Sequence, residues 1–258
     1  QGGVYVFSVA GHETFAGRYG LFRYDEKRDN FIPDSTFGNL SFGESSEFNI
    51  KEDDEGNVWI NVGGGETVKA AHQSDGSFRT ERTPFLRFSD FGVSAVYPED
   101  DGEVWFGGAD GLIRYDSKIG KKYDLDFHAL IRKVCIGGDS AVFGGTPVSS
   151  PPVQGGNRGV LEYKSNFLRF EFAAPCFDDE SANQFQYIME GFDKDWSART
   201  KESKKDYTNI PEGRYRFRIR ARNVYEHISR EDVYEFTILP PWYRTWWAYS
   251  IYGLCILG

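Results

Sequence analysis

From Tyr215 to Arg222 the sequence alternates without a break. Tyr215, Phe217, Ile219 and Ala221 take one parity, and Arg216, Arg218, Arg220 and Arg222 take the other. Successive side chains of a β-strand point to opposite faces, so this run presents one apolar and one cationic face. The same two-residue period returns in Leu168, Phe170 and Phe172 against Arg169 and Glu171. It returns again in Phe185, Tyr187 and Met189, and in Tyr234, Phe236 and Ile238. Gly, Pro, Asn and Asp separate these segments, as expected of strands joined by turns. Two sheets that bury such faces against each other form a β-sandwich.

Several motifs within this stretch resemble a known family. They are Gly191-Phe192-Asp193 with Trp196, Tyr207-Thr208-Asn209, Pro211-Glu212-Gly213-x-Tyr215-x-Phe217, Ala221-x-Asn223 and Pro240-Pro241-Trp242-Tyr243. Together, over about 163–243, they resemble the Y_Y_Y domain, a small immunoglobulin- or fibronectin-like sandwich. In that family the sandwich follows two-component-regulator propeller repeats in bacterial membrane sensors and lies just outside the membrane. The resemblance implies a signal-transduction receptor with this region on the periplasmic side of the inner membrane. It also implies a homodimeric full receptor and a cytoplasmic effector.

The first half of the chain repeats. Gly20-Leu21-Phe22-Arg23-Tyr24-Asp25 returns as Gly111-Leu112-Ile113-Arg114-Tyr115-Asp116. Asp54-Glu55-Gly56-Asn57-Val58-Trp59-Ile60 returns as Asp100-Asp101-Gly102-Glu103-Val104-Trp105-Phe106. Trp59 and Trp105 are 46 residues apart, and Phe15 lies 44 before Trp59. A period of roughly 40–50 residues with several short strands per unit is a propeller signature. The expectation is three four-stranded blades over 4–125, with Phe15, Trp59 and Trp105 at equivalent positions. A last edge strand is expected near Lys121–Tyr123. The middle unit departs from the pattern, since Glu66-Thr67-Val68-Lys69 stands where Gly-Leu-x-Arg is expected. Three blades make an arc, because a ring closes with about four to eight. The chain therefore reads as a piece of a longer one, with more blades before Gln1.

Charge supports a boundary. Residues 1–126 hold 13 Lys/Arg and 23 Asp/Glu, net −10, whereas 127–258 hold 17 and 16, net +1. The total of −9 argues against nucleic acid, whose phosphates require a basic face. Residues 127–162 read as the first strands of the sandwich rather than a fourth blade, which Gly144-Gly145 would echo but which lacks the Asp-Gly-x-Val-Trp turn, with Ala129–Val134 and Ser140–Phe143 extended and 146–159 as a loop. Cys135 and Cys176 read as buried thiols rather than a bridge, and Cys255 lies in the apolar tail.

After Leu239 the texture changes. Pro240-Pro241 ends the last strand. Trp242, Tyr243, Trp246, Trp247 and Tyr249 then crowd together, as at a membrane interface. Residues 246–258 carry no charge. They are expected to form the outer end of a transmembrane helix with few contacts to the sandwich, although 13 residues fall short of the roughly 20 a crossing needs.

No catalytic constellation is visible, and no cofactor is expected. His12, His72, His128 and His227 are scattered without metal-ligand spacing. The carboxylates crowd into hairpin turns such as Asp53-Asp54-Glu55-Gly56, where Asp and Gly suit the geometry, so no metal is expected. Trp59 and Trp105 read as packing residues, Arg23 and Arg114 as partners of nearby carboxylates. Tyr215 reads as the corner residue that fixes a loop to backbone. The one candidate interaction face is Arg216, Arg218, Arg220 and Arg222. Four cations on one strand face repel unless carboxylates or solvent intervene, so the ladder is either a solvated face with Glu neighbours or a surface for the acidic half or a second protomer. As a surface residue, Arg218 is expected to tolerate replacement.

These readings place partial propeller blades at 1–126 and an immunoglobulin-like sandwich at 127–240. They place a juxtamembrane segment with a truncated transmembrane helix at 241–258. The expected function is extracytoplasmic sensing of a small molecule or oligosaccharide, with no enzymatic activity in this region. The competing reading is a propeller carbohydrate-active enzyme or carbohydrate-binding surface protein with a fibronectin-like module.

Overall fold

A computed structural model describes residues 4–17, 19–38, 40, 48–63, 66–138, 140–144, 158–244, 248–251 and 255. The chain divides into two compact units, Gln1–Tyr123 and Asp124–Gly258.

The first unit contains three antiparallel sheets in simple up-and-down order. The first sheet is β1 (Tyr5–Val9), β2 (His12–Gly17), β3 (Gly20–Asp25) and β4 (Asn30–Pro33). The second is β5 (Phe48–Glu52), β6 (Val58–Val62), β7 (Thr67–His72) and β8 (Phe78–Glu81). The third holds β9 (Val93–Pro98), β10 (Glu103–Gly108) and β11 (Gly111–Asp116), three strands among the described residues rather than four. Lys121–Tyr123 is not a strand. Its approach begins with a turn, in which Ile119 N–H donates to Asp116 O. The run also lacks the alternation that would give it a face to bury.

Two cores link the sheets. Val9, Ala16 and Leu21 of the first sheet meet Ile50, Val58, Ile60 and Val62 of the second. Trp59, on the opposite face of β6, joins Val93, Val96, Val104 and Phe106 of the third. A 3-10 segment, Thr83–Phe91, follows β8 and adds Phe85, whose ring lies edge-on to Trp59 at 5.8 Å. Nothing in the repeat spacing announced this segment, because its aromatics carry no strand period.

The expected equivalence of Phe15 with the tryptophans fails. Trp59 pairs across to Lys69 and Trp105 to Arg114. The residue of the first sheet in the matching register with Arg23 is Thr14, since Phe15 pairs with Phe22. Thr14 is fully buried, while Phe15 points to the other face against Phe31, with ring centroids 4.8 Å apart. A one-residue displacement on a period of two reverses the face. The middle unit, in contrast, forms its third strand despite the altered sequence, and the Lys69 ammonium lies 5.1 Å from the Trp59 ring.

The second unit is a sandwich of two four-stranded sheets. One has the order β13 (Ser140–Gly144), β12 (Leu130–Ile136), β15 (Leu168–Ala173), β17 (Lys204–Tyr207). The other has the order β14 (Arg158–Leu161), β19 (Asp232–Ile238), β18 (Gly213–Arg222), β16 (Gln184–Glu190). β14 joins β19 in parallel, and the other pairings within these sheets are antiparallel. In β15, β18 and β19 the apolar parity faces inward. Phe170, Phe217, Ile219, Met189 and Leu168 are fully buried, and Phe170 stacks on Phe217 with centroids 4.0 Å apart. Cys135 and Cys176 are free thiols. Most of the loop expected at 146–159 lies outside the described residues.

Beyond Leu239, Trp242–Arg244 makes a 3-10 turn and Ala248–Ile251 and Cys255 are helical. Ala248 is buried, while Tyr249, Ile251 and Cys255 are exposed. The rest of the expected helix lies outside the described residues. Among the described residues no helix is long and apolar enough to cross a membrane.

Phe217→Ala is expected to cost about 3–5 kcal/mol, as large-to-small aromatic changes in cores do. Phe217→Asp, which buries an unpaired carboxylate, should leave the sandwich unfolded. Urea denaturation followed by near-ultraviolet circular dichroism measures both. A Phe217→Ala protein as stable as the parent would contradict the core assignment.

Candidate functional site

The outward parity of β18 carries the arginine ladder, and the neighbouring strands decide what becomes of its charge. Register places Glu190 opposite Arg216 on one side and Glu235 opposite it on the other. Arg218 Nη1 donates to Glu190 Oε1 at 2.5 Å, and its Nε and Nη2 donate to Glu231 Oε2 at 2.8 and 2.7 Å. These hydrogen bonds hold the Arg218 guanidinium above its ordinary range. Arg220 donates to Gln186 Oε1 at 3.1 Å and lies 4.2 Å from the Trp196 ring. Arg222 pairs with Glu226 at 3.0 Å. Among the described residues, Arg216 has only long contacts, 3.6 Å to Glu235 and 3.9 Å to Glu190.

The four cations are therefore interleaved with carboxylates, an amide and an indole. This is the arrangement in which a strand bears four like charges without net repulsion. Arg218 is better held than a surface residue, so the expectation that its replacement is tolerated is revised. Beside Arg216, a shallow depression of about 580 Å³ opens between Glu190, Arg214, Glu235, Thr237 and Val160. Val160 on its rim is 69% exposed.

The motif tyrosines hold the loops at this end of the sandwich. Asp193, in the turn after β16, accepts from Met189 N–H at 2.8 Å and from Tyr207 O–H at 2.6 Å. Burial, followed by the hydrogen bond to Asp193 and its charge, pushes the Tyr207 phenol well up. Gly191 starts that turn at φ +94°, and a Cβ there would crowd Arg214 O and the Tyr215 ring at 3.1 Å. Tyr215 O–H donates to Pro211 O at 3.0 Å and fixes the Pro-Glu-Gly corner, as expected. Glu212 of that corner pairs with Arg244 at 2.5 Å, joining the corner to the exit segment. Tyr187 packs partly buried against the core, under the Lys205 ammonium at 5.5 Å.

The acidic turns of the first unit are occupied by their own chain. Asp53 accepts from Glu55 N–H, Asn57 N–H and the Trp59 indole, the last at 2.8 Å. Glu99, Asp101 and Glu103 bring carboxylate oxygens within 4.8 Å of one another. Glu99 accepts from the Trp105 indole, Asp101 from Glu103 N–H, and Glu103 pairs with Arg114. The repeated tryptophans thus pin the turn six residues before them, a role that their spacing alone did not suggest. Arg114 has the expected carboxylate partner, whereas Arg23 is exposed and forms no ion pair among the described residues.

Arg218→Asp is expected to cost roughly 1–2 kcal/mol, because charge-assisted bonds are replaced by like-charge contact. Arg214→Asp should change little, as at most surface sites. Comparison of urea midpoints tests the contrast, and equal midpoints would refute it. Alkaline titration gives a second expectation. Above about pH 10 an unfolded tyrosine loses its proton, while folded Tyr207 keeps it. The unfolded state then binds fewer protons, so stability falls as pH rises. Tyr115, pushed up to about 12 chiefly by burial, adds to the same fall. Tyr207→Phe should show a shallower decline of stability between pH 10 and 11 than the parent. An unchanged slope would rule out the phenol as its source.

Residues 176–239 match the Y_Y_Y domain family. The chain is 24% identical over 220 residues to Histidine kinase P4 of Formosa agariphila, covering 82% of this chain and 16% of that protein. It thus spans about a sixth of the length of this curated relative. Among solved structures, it resembles the extracellular domain assigned to a hybrid two-component system of B. thetaiotaomicron. That likeness has TM-score 0.61 and 18% identity, over 91% of this chain and 32% of the other. A second such domain from B. thetaiotaomicron, of a one-component system, aligns with TM-score 0.41 and 21% identity, over 92% of this chain and 31% of the other. The chain is all-β, resembles the extracellular regions of two-component sensors in fold, and carries a match to the Y_Y_Y domain at residues 176–239.

Proposed function

We propose that this chain is part of the extracytoplasmic sensing region of a membrane-bound signal-transduction receptor. The observation that carries the reading is the order of parts: repeated up-and-down sheets followed directly by a sandwich that matches the Y_Y_Y domain. The three sheets of the first unit are blades of a propeller. Their mutual packing supports this, since the second and third sheets each bury the same face of their second strand against the preceding sheet. In the first sheet the equivalent face bears Phe15 and the half-exposed Phe31, a surface of the kind that a further blade covers.

In this reading the propeller presents loops to a small molecule or oligosaccharide, and the sandwich transmits a change of orientation. Tyr215, Glu212 and Arg244 form the joint, because one corner holds both the last turns of the sandwich and the segment that leaves it. Trp242, 66% exposed, and Tyr243, 44% exposed, suit the headgroup layer beside that exit. The segment from 246 begins a transmembrane helix, and the effector lies beyond it. The chain itself has no catalytic role.

Protease added to intact cells whose outer envelope has been permeabilised should cleave a site engineered beside Phe177, an exposed side chain of the sandwich. The same site should be protected if the region is cytoplasmic, and protection would overturn the proposal. As a test of the joint, Glu212→Gln should leave urea stability nearly unchanged while altering basal output of the intact receptor. Unaltered output would remove the ion pair from the transmission path.

A further inference from the structure

The outer face of the other sheet differs from the arginine ladder. At Arg132 the pairing of β12 with β15 slips, so that Arg132 and Lys133 together stand opposite Glu171. This is a β-bulge, in which one extra residue re-aims a side chain. Glu171 pairs across its other side with Lys204. Strands lie about 4.8 Å apart in a sheet, so the flanking cations rise from strands about 10 Å apart with one carboxylate between them. The surface there sinks into a depression of about 470 Å³ lined by Arg132, Lys133, Glu171, Phe172, Ser203 and Lys204.

Positive charge is in excess in this depression. Among the described residues, Arg132, Lys133 and Lys204 form no ion pair, and three cations face one carboxylate. Asp206, on the same face two residues beyond Lys204, is clasped by Arg169 through two bonds of 2.7 and 2.8 Å, and the Lys204 charge acts on it more weakly. Elsewhere on the sandwich, arginines such as Arg218 are bonded to carboxylates. An excess of positive charge in a concavity, within a chain of net charge −9, is the electrostatic complement of an anion.

The backbone under the depression is fixed. Gly144, at φ +68°, lies so close that a Cβ would collide with Arg132 O. Phe172 N–H donates to the backbone O of Ser203 at 2.9 Å, and the exposed Ser203 hydroxyl has no hydrogen bond among the described residues. A planar guanidinium, two ammonium groups and a hydroxyl are the donor set that suits a phosphate, sulfate or carboxylate.

We propose that this depression is a binding site for an oxyanion group carried by a soluble ligand, with Arg132, Lys133 and Lys204 as its cationic donors and Ser203 as its neutral donor. Glu171 limits the affinity by opposing the anion. The proposal is independent of the sensor reading, because it rests only on the outer face of this sheet.

Isothermal titration of the 258-residue chain with inorganic phosphate and with tripolyphosphate tests it. Tripolyphosphate should bind more tightly than phosphate, since it can meet cations on both flanking strands. The double variant Arg132→Gln, Lys204→Gln should weaken tripolyphosphate binding about tenfold, the scale of losing two charge-assisted contacts. Glu171→Gln should tighten it about threefold by removing the opposing charge. Lys164→Gln, at an exposed lysine paired with Glu162 elsewhere, should leave it unchanged. Near-ultraviolet circular dichroism and thermal melts establish that each variant is folded. A folded double variant that binds as the parent does would overturn the proposal, as would weaker binding by Glu171→Gln. Binding to phosphatidylglycerol vesicles with none to either soluble anion assigns the groove to a lipid surface and overturns it equally.

Discussion

The sandwich depends on the contact between Phe170 and Phe217, one from each sheet, stacked 4.0 Å apart at the centre of the core. Around it, Phe172, Tyr187, Tyr207, Tyr234 and Phe236 pack ring against ring. Because side chains alternate along a strand, placing Phe217 inward commits Arg216 and Arg218 to the outside. The cationic ladder is in that sense a by-product of the core. Its charge then has to be answered by the strands beside it, and Glu190, Glu231 and Glu235 stand where register brings them.

This chain of dependence explains which features are legible in the sequence. Alternation reports the face directly, so the inward and outward sets of β15, β16, β18 and β19 were readable. So was the Tyr215 corner, whose bond depends on residues only four apart in sequence. For Arg218 the alternation shows a cation that needs Glu neighbours, but which glutamates answer it, Glu190 of β16 and Glu231, depends on cross-strand pairing. No local pattern announces a neighbour across a sheet.

The first unit teaches the same lesson at the level of repeats. Spacing aligns Phe15 by its distance from Trp59, but distance counts loop residues as well as strand residues. The Arg-Tyr-Asp strand is the better ruler, for Trp105 pairs with Arg114 and the residue in the corresponding register with Arg23 is Thr14. Thr14 also has a local reason to be buried, since it and His12 bond the Asp34 carboxylate at 3.4 and 3.1 Å. The missing fourth strand of the third sheet and the aromatic 3-10 segment before it are irregular stretches with no period to read. The bulge at Arg132 was equally silent, being a matter of pairing rather than composition.

One feature of the sandwich bears on how it carries load. Its first residues run parallel to the start of its last strand: Arg230 N–H donates to Phe127 O and Ala129 N–H to Arg230 O. Ile131 N–H donates to Asp232 Oδ2 at 2.8 Å. Tension applied between Asp124 and Leu239 draws these two segments along each other in opposite directions. The bonds between them are then strained in shear and resist together, instead of opening one at a time like a peeled hairpin. The parallel pairing of β14 with β19 adds a second set of bonds in the same orientation. The two ends of this unit are thus joined by a mechanical clamp, and a pull entering at one end reaches the other with little stretch.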